Sequence, residues 1–179
     1  LISLAGFYKD VADLIYVRNT IVENFEFEGA FYTASINQPI NSDSSSIYGL
    51  ELAVRKDFSD TLPAPFDGLI FDANLTWIGS EFTYINAEGE SRDPGGWLNQ
   101  PEWLANAQLS YESGGFGAKV AYNFVGEYLS NILSDSGDIY DAYFQPRHVF
   151  DLQARYQFND NLTVIAEVQN LTEEGLEFN

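Results

Sequence analysis

Phe150-Asp151-Leu152-Gln153-Ala154-Arg155-Tyr156-Gln157-Phe158 decides the fold class. Every even position is apolar and every odd position is polar or charged. Successive side chains of a strand point to opposite faces, so a strict period of two over nine residues predicts a strand with one apolar and one polar face. The same pattern recurs on both sides of it. Leu162, Val164, Ala166 and Val168 alternate with Thr163, Glu167 and Gln169. Phe116, Ala118, Val120, Tyr122 and Phe124 alternate with positions that include Lys119 and Asn123. Ala105, Ala107, Leu109 and Tyr111 stand against Asn106, Gln108, Ser110 and Glu112. Leu69, Phe71, Ala73, Leu75 and Trp77 stand against Asp72, Asn74 and Thr76, and Tyr48, Leu50, Leu52 and Val54 against Gly49, Glu51, Ala53 and Arg55. A first strand covers about Ile2 to Tyr8, with an irregular continuation toward Val17. The chain is therefore read as all-β with about seven strands, and no segment carries a helical period.

The connections are of two kinds. Ser59 to Asp67, Ser113 to Gly115 and Asn159 to Asn161 are short and rich in residues that turn chains. Arg18 to Ser46, Thr83 to Leu104 and Ser130 to Arg147 are long. Short and long alternate along the chain. A meander with tight turns at one end and long loops at the other is the layout of an antiparallel up-and-down transmembrane β-barrel. Aromatics at strand ends on the apolar face, namely Phe58, Trp77, Phe116, Tyr128 and Phe158, suit an interfacial girdle. A soluble sandwich also has alternating strands, but its strands are usually about five or six residues long, shorter than those expected here.

Composition narrows the function. The 179 residues hold 27 acidic and 8 basic side chains, a net charge of −19, which argues against nucleic acid as a partner. There is no Cys and one His, so thiolate and multi-histidine metal sites are excluded within this chain. No apolar stretch approaches the length of a spanning helix. The chain opens on Leu1-Ile2-Ser3-Leu4, already in strand pattern, and is read as an internal piece with any targeting signal upstream.

The motifs, taken in order, carry a resemblance. They are Phe7-Tyr8-Lys9-Asp10, Ile47-Tyr48-Gly49-Leu50-Glu51-Leu52, Leu62-Pro63 through Phe66-Asp67-Gly68-Leu69, and Ala73-Asn74-Leu75-Thr76-Trp77. Next come Gln100-Pro101-Glu102-Trp103-Leu104-Ala105-Asn106, Leu109-Ser110-Tyr111-Glu112, Phe150-Asp151-Leu152 and Val168-Gln169-Asn170-Leu171-Thr172. Together they resemble the C-terminal part of the barrel of TonB-dependent outer-membrane receptors. The resemblance implies a bacterial outer-membrane location and a 22-strand barrel, of which these seven strands are a part. It also implies a plug domain and a final strand that this chain lacks, and a TonB complex that acts through that plug. The expected function is import of a scarce, bulky nutrient, a ferric siderophore first. Oligosaccharide or cobalamin import by the same family and a passive porin are the alternatives. The expected partners are outer-membrane lipid and a small-molecule ligand, with no resident cofactor.

Candidate site residues follow from the two faces and the loops. Glu51, Arg55, Lys119, Glu127, Asp151, Arg155 and Glu167 are expected to face the lumen, where they line a ligand path or meet the plug. Tyr84, Trp97, Tyr140 and Tyr143 are the expected ligand contacts on the long loops. The loops are acidic, with Glu23, Glu26, Glu28, Asp43, Glu81, Glu88, Glu90, Asp93, Glu102, Asp135, Asp138 and Asp141 against Arg18, Arg92 and Arg147. Such a rim suits a solvated surface, with Ca²⁺ binding through oxygen ligands as the alternative. His148 has no nucleophile-elbow motif beside it, so the chain is not read as an enzyme.

Overall fold

The computed structural model describes residues 1–42, 44–85, 89–132, 141–175 and 177. Seven strands form one continuous antiparallel sheet in the order of the chain. They are β1 (Ile2–Asp10), β4 (Ser44–Asp57), β5 (Leu69–Ile85), β7 (Trp103–Ser113), β8 (Phe116–Val125), β11 (Arg147–Asn159) and β12 (Leu162–Val168). The intervening numbers belong to the loop end: β2 (Ile15–Phe27) pairs with β3 (Ala30–Asn41), β6 (Ser91–Arg92) with the top of β5, and β9 (Tyr128–Ile132) with β10 (Asp141–Phe144). A tilted strand crosses a bilayer in about 9–11 residues. β4, β5, β7, β8 and β11, at 14, 17, 11, 10 and 13 residues, reach that length.

The sheet is a single layer with two chemically different faces. On one, Leu4, Leu52, Leu75, Ala105 and Phe124 stand side by side across five strands. On the other, Ala53, Asn74, Asn106, Asn123 and Val149 form the neighbouring row. The apolar face is left open: Leu4 is 74 % exposed, Leu50 53 %, Leu109 46 % and Val120 44 %. No second sheet covers it among the described residues, which separates this architecture from a sandwich. An apolar face this wide needs a covering medium, and hydrocarbon is the one that suits a wall of paired barrel strands. Tyr48, Trp77 and Trp103 edge the apolar face toward the loop end, with ring centroids 5.8 and 6.5 Å apart. The sheet ends at β1 and β12, which do not pair with each other.

The short turns follow their sequence chemistry. Gly114 and Gly115, at φ 55° and 83°, close the two-residue turn from β7 to β8, a shape that needs positive φ at both positions. Between β4 and β5 a 3-10 turn, Phe66–Gly68, brings Gly68 against the backbone of β7. A Cβ there would land on the Glu112 carbonyl oxygen, which is fixed backbone. Gly68→Ala is therefore expected to destabilise the barrel by about 1–3 kcal/mol, the usual cost of overpacking. The folded, faster-migrating band of the full-length protein on unheated SDS gels should fade. In the same turn Ser59 N–H donates to the Asp57 carboxylate at 2.9 Å. That bond holds Asp57 below the usual carboxylate range. Its contribution is present above the unfolded-state value of about 3.9 and is lost as pH falls through the lower folded value. The protection of the Ser59 amide, its exchange rate taken relative to the free peptide at the same pH, should fall on acidification across that window.

The long connections differ from their expected form. The segment read as a loop from Arg18 to Ser46 is a two-stranded ribbon, and β1 stops at Asp10 instead of running on to Val17. The ribbon keeps the register of the wall beneath it. Asp10 faces Ser46 and Ile15 faces Asn41, five residues further along each strand. Ser42 N–H donates to the Leu14 carbonyl at 2.7 Å across the break. The β9–β10 ribbon does the same above β8 and β11: Arg147 faces Val125 and Phe144 faces Tyr128, three residues on in each strand. Both ribbons are continuations of barrel hairpins, so the wall extends into the loop region.

Candidate functional site

The polar face carries a trough of about 720 Å³ lined by residues of five strands, with small and amide side chains beside Arg55, Asp72, Arg147 and Asp151. Asn106 joins its neighbours in the row, donating to Asn74 Oδ1 at 3.0 Å and accepting from Asn123 Nδ2 at 2.5 Å. One row nearer the short turns, Arg55 pairs with Asp72 at 3.0 Å. Two rows from that pair, Arg155 reaches Glu112 at 2.8 Å across Gly117, whose missing side chain clears the path. Both ion pairs are exposed, so each is worth only about 0–1 kcal/mol and serves to neutralise the wall. Asp151 accepts the Asn170 N–H at 2.8 Å and so ties the segment after β12 to the trough.

The expected lumen residues fall as follows. Arg55 and Asp151 line the trough. Glu51 lies two residues before Ala53 on the same face, while Lys119 is directly opposite Gln153, and Gln153 opposite Glu167. Arg155 stands on that face as well, over Gly117. Glu127 is different: it lies in the gap between β8 and β9, where Gln145 Nε2 approaches its carboxylate at 3.4 Å. Sequence reasoning that looks for charge passes over Asn74, Asn106 and Asn123. The signal is their parity on their own strands, Asn74 with Asp72 and Thr76, Asn106 with Gln108 and Ser110, and Asn123 with Lys119.

At the loop end the polar face of β5 turns aromatic. Asp72, Asn74, Thr76 and Ser80 are followed at the same parity by Phe82 and Tyr84. Both rings are 1 % exposed and, with Tyr16 and Leu129, form the buried hydrophobic cluster. Tyr16 sits 5.2 Å from Phe82 and 5.1 Å from Tyr84, and its hydroxyl donates to the Ile85 carbonyl at 3.2 Å. Tyr84 is thus sealed between the ribbon and the wall. Trp97 and Tyr143 pack on this cluster from outside and remain partly exposed. Tyr140 lies outside the described residues, as do Asp43, Glu88, Asp135 and Asp138.

Between β6 and β7 the chain holds four more residues than continued pairing of β5 with β7 needs. Tyr84 faces Arg92, whereas Trp77 faces Trp103. The surplus lets the segment 93–102 fold against the top of β5. Trp97 N–H donates to Ser80 Oγ at 2.9 Å, and its indole N–H donates to the Glu81 carbonyl at 3.0 Å. A hollow of about 410 Å³ opens beside it, walled by Trp77, Trp97, Gln100, Glu127 and Tyr143 among others. Among the described residues no three carboxylate or imidazole groups gather as a metal site. His148 stands on the apolar face, its Nδ1 2.8 Å from the Tyr122 hydroxyl and its ring beside Phe124.

The family model described as "TonB dependent receptor-like, beta-barrel" matches residues 1–171. The chain belongs to the TonB-dependent receptor family. It is a stretch of a bacterial outer-membrane receptor β-barrel. Solved structures of the ferric enterobactin receptor PfeA from Pseudomonas aeruginosa share the fold. A single-substitution variant superposes with a TM-score of 0.59 at 19 % identity over 97 % of this chain. A second variant, in complex with enterobactin, gives 0.60 at 19 % identity over 97 %. The receptor chain described here spans about a quarter of those proteins, 23 % and 24 % of their chains. No curated protein sequence matches it.

Proposed function

We propose that this chain is part of the wall and outer vestibule of a receptor that imports a ferric siderophore, driven by TonB through a plug domain. The observation that carries the reading is the change of chemistry along one face of β5. The amide and carboxylate rows that line the polar trough give way to aromatic packing at the top, where a bulky ligand would first be met. PfeA, which shares the fold, is a ferric enterobactin receptor. The acidic loops of this chain oppose capture of a strongly anionic complex by charge, which favours a neutral or cationic siderophore. Trp97 and Tyr143, partly exposed and held by the cluster, are the proposed ligand contacts, and Tyr84 is the residue that holds them in place. Arg55, Asp72 and the asparagine row would meet the plug or the passing ligand.

The test is growth under iron limitation. A strain relying on the full-length receptor should grow on a neutral or cationic ferric siderophore and stop when TonB is disrupted. Conductance of small solutes without TonB or a proton gradient, and no siderophore-dependent growth, would overturn the reading in favour of a porin.

A further inference from the structure

The hollow beside segment 93–102 has an unusual balance of hydrogen-bonding groups. Both of its indole N–H donors and several main-chain ones are already committed. Trp97 gives its main-chain N–H to Ser80 and its indole N–H to Glu81, while the Trp77 indole donates to Glu102 Oε1 at 3.0 Å. Ile78 N–H donates to the Glu102 carbonyl at 2.8 Å, and Gln100 Nε2 donates to the Pro101 carbonyl at 3.2 Å. That last bond fixes which end of the Gln100 amide is oxygen. Its Oε1 is buried and has no partner among the described residues. Beside the Ser80 and tyrosine hydroxyls, the hollow offers acceptors and ring faces: Gln100 Oε1, the Glu127 and Glu102 carboxylates, and the rings of Trp97, Tyr128 and Tyr143. A buried acceptor without a donor is costly, and a donor entering the hollow would relieve it.

We infer that this hollow binds the ammonium group of a small organic cation. A primary ammonium brings three donors and no acceptor, the complement of this wall. The aromatic faces attract it through their quadrupoles. The carboxylates supply charge, and the acidic loops raise the local concentration of cations. An anion would meet two carboxylates, and a neutral hydroxyl would gain only the acceptors. The ammonium comes from one of two sources, a free amine or an amine-bearing arm of the imported ferric complex. The inference rests on the receptor reading and gives its vestibule a ligand chemistry.

The experiment uses full-length receptor in detergent, titrated calorimetrically with 1,5-diaminopentane and with 1,5-pentanediol as the neutral isostere. The diamine should bind at least about tenfold more tightly and weaken at high salt. Glu127→Gln, at an exposed position that does not endanger folding, should lower diamine affinity several-fold. Gln100→Ala and Trp97→Leu should each lower it about tenfold. Equal binding of diamine and diol, or diamine binding unchanged in all three variants, would overturn the inference. The source is settled by competition. An amine-bearing ferric siderophore that displaces the diamine places the ammonium on the cargo, and retention of the diamine beside it makes the site one for free amines. Siderophore-dependent growth with no preference for the diamine would sink this inference and leave the receptor reading standing. The reverse result would do the opposite.

Discussion

Val120→Arg is expected to abolish most assembly of the receptor in the outer membrane, while Ala121→Arg, one residue on, is expected to be tolerated. The two positions lie in the middle of β8 and point to opposite faces. Val120 stands between Leu109 and Leu152 on the apolar face and is 44 % exposed there. An arginine at that depth faces hydrocarbon, which costs about 2–4 kcal/mol near the bilayer midplane. Ala121 stands between Gln108 and Asp151 on the polar face. A guanidinium there enters the trough with a carboxylate opposite and water around it, at a cost within about 1 kcal/mol. The comparison is sharp because strand, depth and new side chain are the same. Folded yield in outer-membrane fractions, read as the heat-modifiable band, should differ by more than tenfold. Equal yields would mean that the faces are assigned the wrong way or that the sheet is not in lipid.

That contrast also explains how much of the fold is legible in the amino-acid sequence. The seven wall strands are legible because each meets two different solvents, and a two-solvent strand has no choice but to alternate. Phe150 to Phe158 is the clearest case, and it is paired on both sides in the structure. The ribbons are not legible for the same reason in reverse. Ile15 to Phe27 meets water on most of its surface, so nothing imposes an alternation on Ile21, Val22, Glu23 and Phe25, and a bulge falls between Val22 and Phe25. Among the described side chains of that strand, Tyr16 is the one sealed against the wall. Register continuity from β1–β4 into β2–β3 is a long-range property of backbone pairing and leaves no trace in side-chain pattern. Tyr84 shows the intermediate case. Its type, an aromatic beyond a strand end, suggests a ligand contact. Its parity with Phe82 makes it a packing residue, and that parity has meaning only because β5 runs on to Ile85.

Phe82→Ala is the complementary large effect, expected to loosen the vestibule and leave the wall intact. Phe82 is 1 % exposed and touches both Tyr16 and Tyr84. Truncating a buried phenylalanine costs about 3–5 kcal/mol. A two-stranded ribbon is only marginally stable by itself, so β2–β3 owes much of its order to this cluster and cannot absorb that loss. The strands below are held by their own ladder, and β5 is paired from Ile70 to Trp77 on both sides without reference to Phe82. The loss should therefore be local. In outer membranes, protease added from outside should cut the variant between residues 18 and 42 at least tenfold faster than the parent. The heat-modifiable band should persist, and siderophore-dependent growth should fall because Trp97 and Tyr143 lose the packing that positions them. If the barrel band vanished along with the ribbon's protection, the cluster would be part of the barrel's folding unit, and the division between wall and vestibule drawn from the sheet would fail.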